Sequence, residues 1–468
     1  MSHDAGGQPA RIGLAAKLMW ASGSFGTGAL FNAMALFALF YMTNFLGLSP
    51  ALSGTILLVA RVYDGVIDPL IGAVSDRTRH RWGPRRLYLL IGALALGGSF
   101  ALFFNLARLG VDGAASALLV TAALLLYSTA YSLFTIPYLA MPPDIAPDYQ
   151  ARTKLMSYRV FFLLAGVMAG SAGAPVLIKL SGGEQAGYET MGIVLGVAGS
   201  LLCLLVFLGA ASLPQPPRVQ RQPAINALAL LASPFTDMAQ VLGNAPFRLL
   251  TLVKLCQLAV LSTVLACSPY FFSMVLKMDP GRIGQYYLVF SVAGLASVPL
   301  YRWLIARLGK RNAYIGLILC YGSGLASWAL WTPAEASIFF HVRAVVIGSF
   351  STGTLLCALA MLPDTMEYDR LQSGQSREGT MSGVFTFVEN LAGALGPFII
   401  GLMLEANGLI KGGGPGIVQP PAVLAAVQWG VSLVPASFCL IAIPLLLRYR
   451  LDAPMLADMR ASQNPLRH

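Results

Sequence analysis

Apolar stretches of about 20 residues or more recur along the chain, separated by short charged connections. They fall at approximately 18–46, 51–75, 87–107, 114–142, 155–178, 190–213, 246–276, 283–303, 312–331, 336–363, 379–404 and 420–447. A helix rises about 1.5 Å per residue, so each stretch matches a hydrocarbon layer roughly 30 Å thick. Lipid offers no water to backbone N–H and C=O groups, and each span must satisfy them within its own helix. The pattern predicts an all-α polytopic membrane protein with twelve transmembrane helices. Composition agrees, since 56% of the 468 residues are apolar and 11% are charged, against about 25% charged in soluble domains. The mean hydropathy is +0.69.

A net charge of +11 would suggest nucleic acid in a soluble protein, but the basic residues are strung along connections such as Arg77 to Arg86 and Arg302 to Arg311. Most lie on one side of the predicted membrane. The positive-inside bias assigns that side, with both termini, to the cytoplasm, where the basic residues meet anionic headgroups. No nucleic-acid partner is expected. The first apolar run is too long for a signal-peptide core and is read as a membrane helix, which points to a plasma membrane, as in the bacterial inner membrane. Cys203, Cys256, Cys267, Cys320, Cys357 and Cys439 lie in apolar runs without C-x-x-C spacing and read as buried thiols. His3, His80, His341 and His468 are scattered, and no nucleotide-binding, zinc-protease or hydrolase motif occurs. Neither an enzyme nor a cofactor is expected.

The longest polar connection, opening with Leu213-Pro-Gln-Pro-Pro-Arg218, separates six spans from six. The expected organisation is an N-terminal bundle (1–213), a cytoplasmic linker (214–245), a C-terminal bundle (246–447) and a cytoplasmic tail (448–468). Ala140-Met-Pro-Pro-Asp144 matches Ala360-Met-Leu-Pro-Asp364, and Gln150-x-Arg152-x-x-x-Met156-Ser157 matches Gln375-x-Arg377-x-x-x-Met381-Ser382. Two matches in the same order imply pseudo-symmetric halves with a substrate site between them.

Six ionisable residues fall within the spans: Arg61, Asp64, Asp68, Arg159, Lys254 and Glu389. Each costs roughly 2.5 to 3.5 kcal/mol at a helix centre and needs a partner or a watery cavity. Spacings of three and four place Arg61, Asp64 and Asp68 on one stripe. Two carboxylates a turn apart can hold Na⁺ or share a proton, while an Arg61–Asp64 salt bridge that merely fixes packing is the competing reading. Arg159 could pair with either aspartate or meet an anionic substrate group. Lys254 is placed to snorkel toward the inner headgroups. Glu389 could partner Arg159 or Lys254, or serve as a proton site. Tyr131, Thr135 and Tyr138 share a face of a proline-containing span and suggest a cavity wall. Asp76, Asp144, Arg152, Asp364 and Arg377, at the inner ends, are expected to form a cytoplasmic gate.

The run Arg61-Val-Tyr-Asp64-Gly-Val-Ile-Asp68-Pro69, followed by Gly72-x-x-x-Asp76-Arg-Thr-Arg79 and Arg81-Trp82-Gly83, resembles the signature of the glycoside-pentoside-hexuronide:cation symporters of the major facilitator superfamily. Gly23-Ser-Phe25-Gly26, Ile136-Pro137-Tyr138, Tyr158-Arg159-x-Phe161-Phe162 and Asp364-Thr-x-Glu367-Tyr368 extend the likeness over nearly all of the chain. The resemblance implies two six-helix bundles, alternating access, and symport of a sugar or related solute with Na⁺, Li⁺ or H⁺. It also implies Asp64 and Asp68 as cation ligands, assisted by Ser132. Two acids that bind sugar hydroxyls in the family are replaced here by Gly28 and Thr135, and a family lysine aligns with Asn390. The expected substrate contacts are Thr27, Gly28, Tyr131, Thr135, Tyr138, Arg159, Glu389 and Asn390. Loss of both acids argues against a galactoside-type sugar. Since animal relatives move lysophospholipids, an amphiphile carrier is the second reading, and a membrane-embedded sensor or enzyme a remote third. A monomer with no cofactor beyond the coupling ion is expected.

Overall fold

The computed structural model describes residues 13–78, 80–82, 85–110, 113–142, 149–212, 241–332, 335–374, 377–411, 417–452, 454–456 and 458–459. Twelve long helical passages cross it: α1 (Leu14–Asn44), α2 (Pro50–Arg77), α3 (Arg86–Phe104), α4 (Gly113–Leu139), α5 (Tyr149–Met168, continuing through a π turn at Ala169–Gly173 into Ala174–Leu180), α6 (Gln185–Gly209), α7 (Ala245–Tyr270, extended by a π turn at Phe271–Val275), α8 (Pro280–Leu308), α9 (Lys310–Ala326), α10 (Ser337–Ser373), α11 (Glu378–Ala406) and α12 (Pro421–Val431 and Leu433–Arg448, broken at Ser432). By length and composition, eleven of these passages can cross a membrane. The other, α2, is 28 residues long and carries the Arg61–Asp64–Asp68 stripe.

Helix starts follow local chemistry. Ser49 accepts the Leu52 N–H at 3.2 Å with Pro50 opening α2, and Asn244 accepts the Phe247 N–H at 3.1 Å before α7. Both satisfy an otherwise orphaned donor. The spans match the hydropathy reading except at polar ends. Asp364 and Glu367 lie inside α10, which runs on to Gly374, a left-handed residue (φ 67°) whose N–H bonds to the Arg370 carbonyl at 3.0 Å. Hydropathy stops at the membrane surface, whereas the backbone ladder continues into water.

The two halves repeat one packing scheme. α1 packs on α5 and α6, α3 on α4 and α6, and α2 on α4; correspondingly, α7 packs on α11 and α12, α9 on α10 and α12, and α8 on α10. Arg85, just before α3, donates to the Ala140 carbonyl at 2.5 Å, and Lys310, opening α9, donates to the Ala360 carbonyl at 2.9 Å. The repeated Ala-Met-x-Pro motif is thus anchored by an equivalent cation in each half.

Three contacts join the halves: α2 with α11, α5 with α8, and α1 with α7. The α2–α11 seam is close, since a Cβ on Gly54 would lie 2.7 Å from the Pro397 carbonyl and one on Gly401 2.3 Å from that of Pro50. Only glycine permits such approach between membrane helices. α5 meets α8 mainly through its last turns, 169–180, at the face opposite the Arg77–Arg86 connection. Polar ties also lie at this far face, among them a hydrogen bond of 3.0 Å from the Tyr270 hydroxyl to the Leu39 carbonyl. Thr43 and Tyr270 hydroxyls share a hydrogen bond of 2.6 Å, Lys179 pairs with Asp279 at 3.1 Å, and the Ala51 N–H donates to Glu405 at 3.4 Å. The halves therefore touch at the far face, and α5 and α8 diverge toward the basic one.

Candidate cation and substrate site

The α2 stripe folds as a stripe. The Arg61 guanidinium lies 3.2 Å from Asp64 Oδ2 and 4.5 Å from the centre of the Phe31 ring on α1. Asp64 is buried with the Ser128 hydroxyl nearby, and its Oδ1 makes no hydrogen bond of good geometry among the described residues. One turn further in, Asp68 accepts the Ser132 hydroxyl from α4 at 2.5 Å. The Arg61–Asp64 salt bridge thus forms, yet it uses one of the four carboxylate oxygens. A second oxygen takes the Ser132 proton and a third, buried, is unpartnered. Such an array can accept a cation, because burying a polar acceptor unpaired is costly and a bound ion or proton relieves that cost.

Next to the stripe, a cavity of about 350 Å³ lies between the halves. Its N-terminal wall includes Phe31, Leu57, Arg61, Tyr127 and Ser128, and its C-terminal wall includes Lys254, Leu258, Ser262, Glu389 and Asn390. Lys254 is 1% exposed, its Nζ lies 3.2 Å from Glu389 Oε1, and it sits 5.6 Å from the centre of the Phe385 ring. This corrects the snorkelling expectation. α7 turns the lysine stem toward α11 and the bundle interior, where a carboxylate compensates the charge.

Glu389 and Asn390 line the cavity as expected. Tyr131 adjoins it, with ring centroids 5.6 Å from Phe31 and 6.2 Å from Tyr127. A turn later on α4, the buried Thr135 Oγ1 has no hydrogen-bond partner among the described residues. Arg159 is half-buried on α5 and makes no ion pair with either aspartate; its buried Nε is also unpartnered there.

Three expected contacts are instead part of helix packing. Thr27 donates to the Gly23 carbonyl of its own helix at 2.9 Å. Tyr138 stacks on Trp20 with centroids 4.7 Å apart and shares a 2.8 Å hydrogen bond with Ser24. A Cβ on Gly28 would stand 3.0 Å from Leu163 of α5. The position where the family resemblance implies an acid is here a close helix crossing.

At the basic face, Asp76 pairs with Arg85 at 3.1 Å and Asp364 with Lys310 at 2.6 Å, each within its own half. These pairs do not bridge the halves. Arg152 lies in the first turn of α5 and Arg377 caps α11, while Asp144 lies outside the described residues. Sequence reasoning missed Arg61 as a cavity wall and Lys254 as an interior charge. The available signal was a lysine and a glutamate at similar depth in two spans, each needing a partner.

A family model described as MFS/sugar transport protein matches residues 19–453. The chain belongs to this family. It is a multi-pass membrane transporter, and the family resemblance read from the sequence is borne out. The chain is 30% identical to the glucuronide carrier protein homolog of Escherichia coli (strain K12), over 89% of this chain and 88% of that one. It is 28% identical to a putative glycoside/cation symporter of the same organism, over 90% and 88%. Among solved structures it resembles a bacterial homolog of the human lysosomal transporter Spinster, in an inward-facing and unoccupied conformation. The TM-score is 0.67 at 15% identity, covering 93% of this chain and 97% of that one, a likeness of fold.

Proposed function

We propose that the protein moves a small sugar-like solute, of the glycoside or hexuronide kind, across the bacterial inner membrane together with one monovalent cation, Na⁺ or H⁺. The cation is held by Asp64 and Asp68 with Ser132. The observation that carries this reading is the stripe itself. One arginine and two aspartates leave a net charge of −1, which one monovalent cation neutralises, and an unpartnered carboxylate oxygen is already waiting. The adjoining cavity, about 350 Å³, is near the lower end for ligand pockets and suits a sugar-sized solute better than a lysolipid chain. The basic connections and both termini face the cytoplasm in this reading, and the far-face contacts make the present arrangement closed to the outside. One charge crossing 100 mV supplies roughly 2.3 kcal/mol, enough for about fortyfold accumulation of a neutral solute at 1.4 kcal/mol per decade.

The test is uptake of radiolabelled methyl β-glucoside and methyl β-glucuronide into proteoliposomes, under a Na⁺ gradient and separately under a proton gradient. Accumulation above the external concentration under one of them, abolished by the matching ionophore, is the expected result. Equilibration that ignores both gradients would remove the symport assignment.

A further inference from the structure

Lys254 and Glu389 do not belong to the cation stripe, yet both line the cavity, and they lie on the half that carries no part of that stripe. Lys254 is almost completely enclosed, whereas the Glu389 side chain is 37% exposed. An ammonium has three N–H donors, and Glu389 is its one ion-pair or hydrogen-bond partner among the described residues, at 3.2 Å. That separation exceeds the 2.7 to 2.9 Å usual for charge-assisted bonds. Across the cavity, Arg61 likewise has a single polar partner among the described residues, Asp64. Each half thus presents one cation with unused donors to the same space, and the remaining lining is largely apolar and aromatic.

We propose that the Lys254–Glu389 pair is exchangeable. An acidic group on the substrate, a carboxylate or sulfonate, displaces Glu389 from Lys254 and is held between Lys254 and Arg61, with Glu389 as the resident counter-ion of the empty site. A buried lysine cannot be left unpaired, so glutamate and substrate compete for one ammonium. Glu389 is the partner able to leave, because it lines the cavity and keeps 37% of its side chain exposed. An anion bridging Arg61 on α2 and Lys254 on α7 also ties the two halves together when the site is filled. Acid recognition is thereby assigned to the C-terminal half as well as the N-terminal one, and the assignment rests on the reading of this cavity as the substrate site.

A purely structural ion pair and an exchangeable one predict different signs. The probes are methyl β-glucuronide and its neutral counterpart methyl β-glucoside, and the readout is the ratio of their affinities, measured by calorimetry on purified protein. Lys254→Gln lowers the glucuronide-to-glucoside ratio at least tenfold. Glu389→Gln raises it at least threefold, because the competitor for the ammonium is gone. Should Lys254→Gln fold poorly, the doubly neutral Lys254→Gln/Glu389→Gln protein restores a balanced interior and shows the same fall in ratio. Shifts in the same direction for the two single variants, an unchanged ratio, or no preference for the glucuronide in the unmodified protein would each overturn the exchange. Gradient-driven uptake of glucoside that survives such a result would leave the symport reading standing. Opposite shifts without any gradient-driven uptake would leave the exchange standing and remove coupling.

Discussion

Replacing Asp68 by Asn removes the uncompensated charge of the α2 stripe while keeping the side chain's shape. With Arg61 balancing Asp64 at 3.2 Å, the net charge of −1 is contributed by Asp68, and the variant leaves a neutral stripe. A monovalent cation about 4 Å from a carboxylate gains roughly 4 kcal/mol at an effective dielectric of 20. That corresponds to a loss of nearly three decades of cation affinity at 1.4 kcal/mol per decade. Gradient-driven accumulation in proteoliposomes should therefore vanish, while exchange of labelled for unlabelled solute persists. Asp64→Asn should also uncouple, but by another route and with a different companion effect. It strips Arg61 of its anionic partner, and breaking a buried ion pair costs about 3 to 5 kcal/mol, the lower figure applying where Phe31 still covers the guanidinium and the amide oxygen still accepts a hydrogen bond. Thermal unfolding in detergent should then rank Asp64→Asn clearly below Asp68→Asn. Equal melting temperatures, or half-saturating cation concentrations within threefold of the unmodified protein for Asp68→Asn, would refute this division of labour.

Gly28→Asp, which places an acid where the family resemblance implies one, should not confer α-galactoside binding. Its Cβ meets Leu163 at 3.0 Å, and overpacking of this kind costs about 1 to 3 kcal/mol. A melting temperature equal to that of the unmodified protein, with α-galactoside competing at micromolar concentration, would contradict it. At the far face, burial raises the pKa of Asp279, but hydrogen bonds from Lys179 and the Gly281 N–H, with the Lys179 charge, more than offset this and hold the carboxyl below its ordinary value. A depressed carboxyl stabilises the tie above its unfolded pKa and loses it as pH falls through the folded one. Acidification below the usual carboxylate range, or Asp279→Asn at neutral pH, should therefore increase labelling of a cysteine placed at Ala172. Unchanged labelling in both would show that the tie holds nothing.

The span pattern and the aspartate stripe were legible because both depend on spacing along one helix. Twelve apolar runs fix twelve helices whatever their neighbours, and residues three and four apart share a face without tertiary information. The Asp68–Ser132 pairing came from family resemblance and from α4 packing on α2. Rotation of a helix about its own axis is another matter. Hydropathy places Lys254 at a depth, but whether it faces headgroups or the interior depends on α7 packing against α11, a contact between residues distant in sequence. Tyr138 and Thr27 failed for the same reason, since their faces are claimed by Trp20 and by the Gly23 carbonyl. Gly28 stands where the family resemblance implies an acid. That it is also a close crossing with α5 could not be seen without the backbone of the partner helix. The cations Arg85 and Lys310 were within reach, because they stand at matching places before the two Ala-Met-x-Pro motifs.

Two of the three seams between the halves, α2–α11 and α5–α8, are related by pseudo-symmetry but differ in extent. Both bring glycine against backbone, Gly54 against Pro397 and Gly401 against Pro50 in one and Gly284 against the Ala172 carbonyl in the other, but the α2–α11 contact is the more extensive. α5 and α8 touch chiefly at their tips. A body held along a longer seam on one side than on the other would swing more like a door on its jamb than like a symmetric rocker. The stripe of Arg61, Asp64 and Asp68 is mounted on the jamb. The ion site would then stay nearly still through the transport cycle, and its access to one side of the membrane or the other would be decided by the free edge formed by α5 and α8.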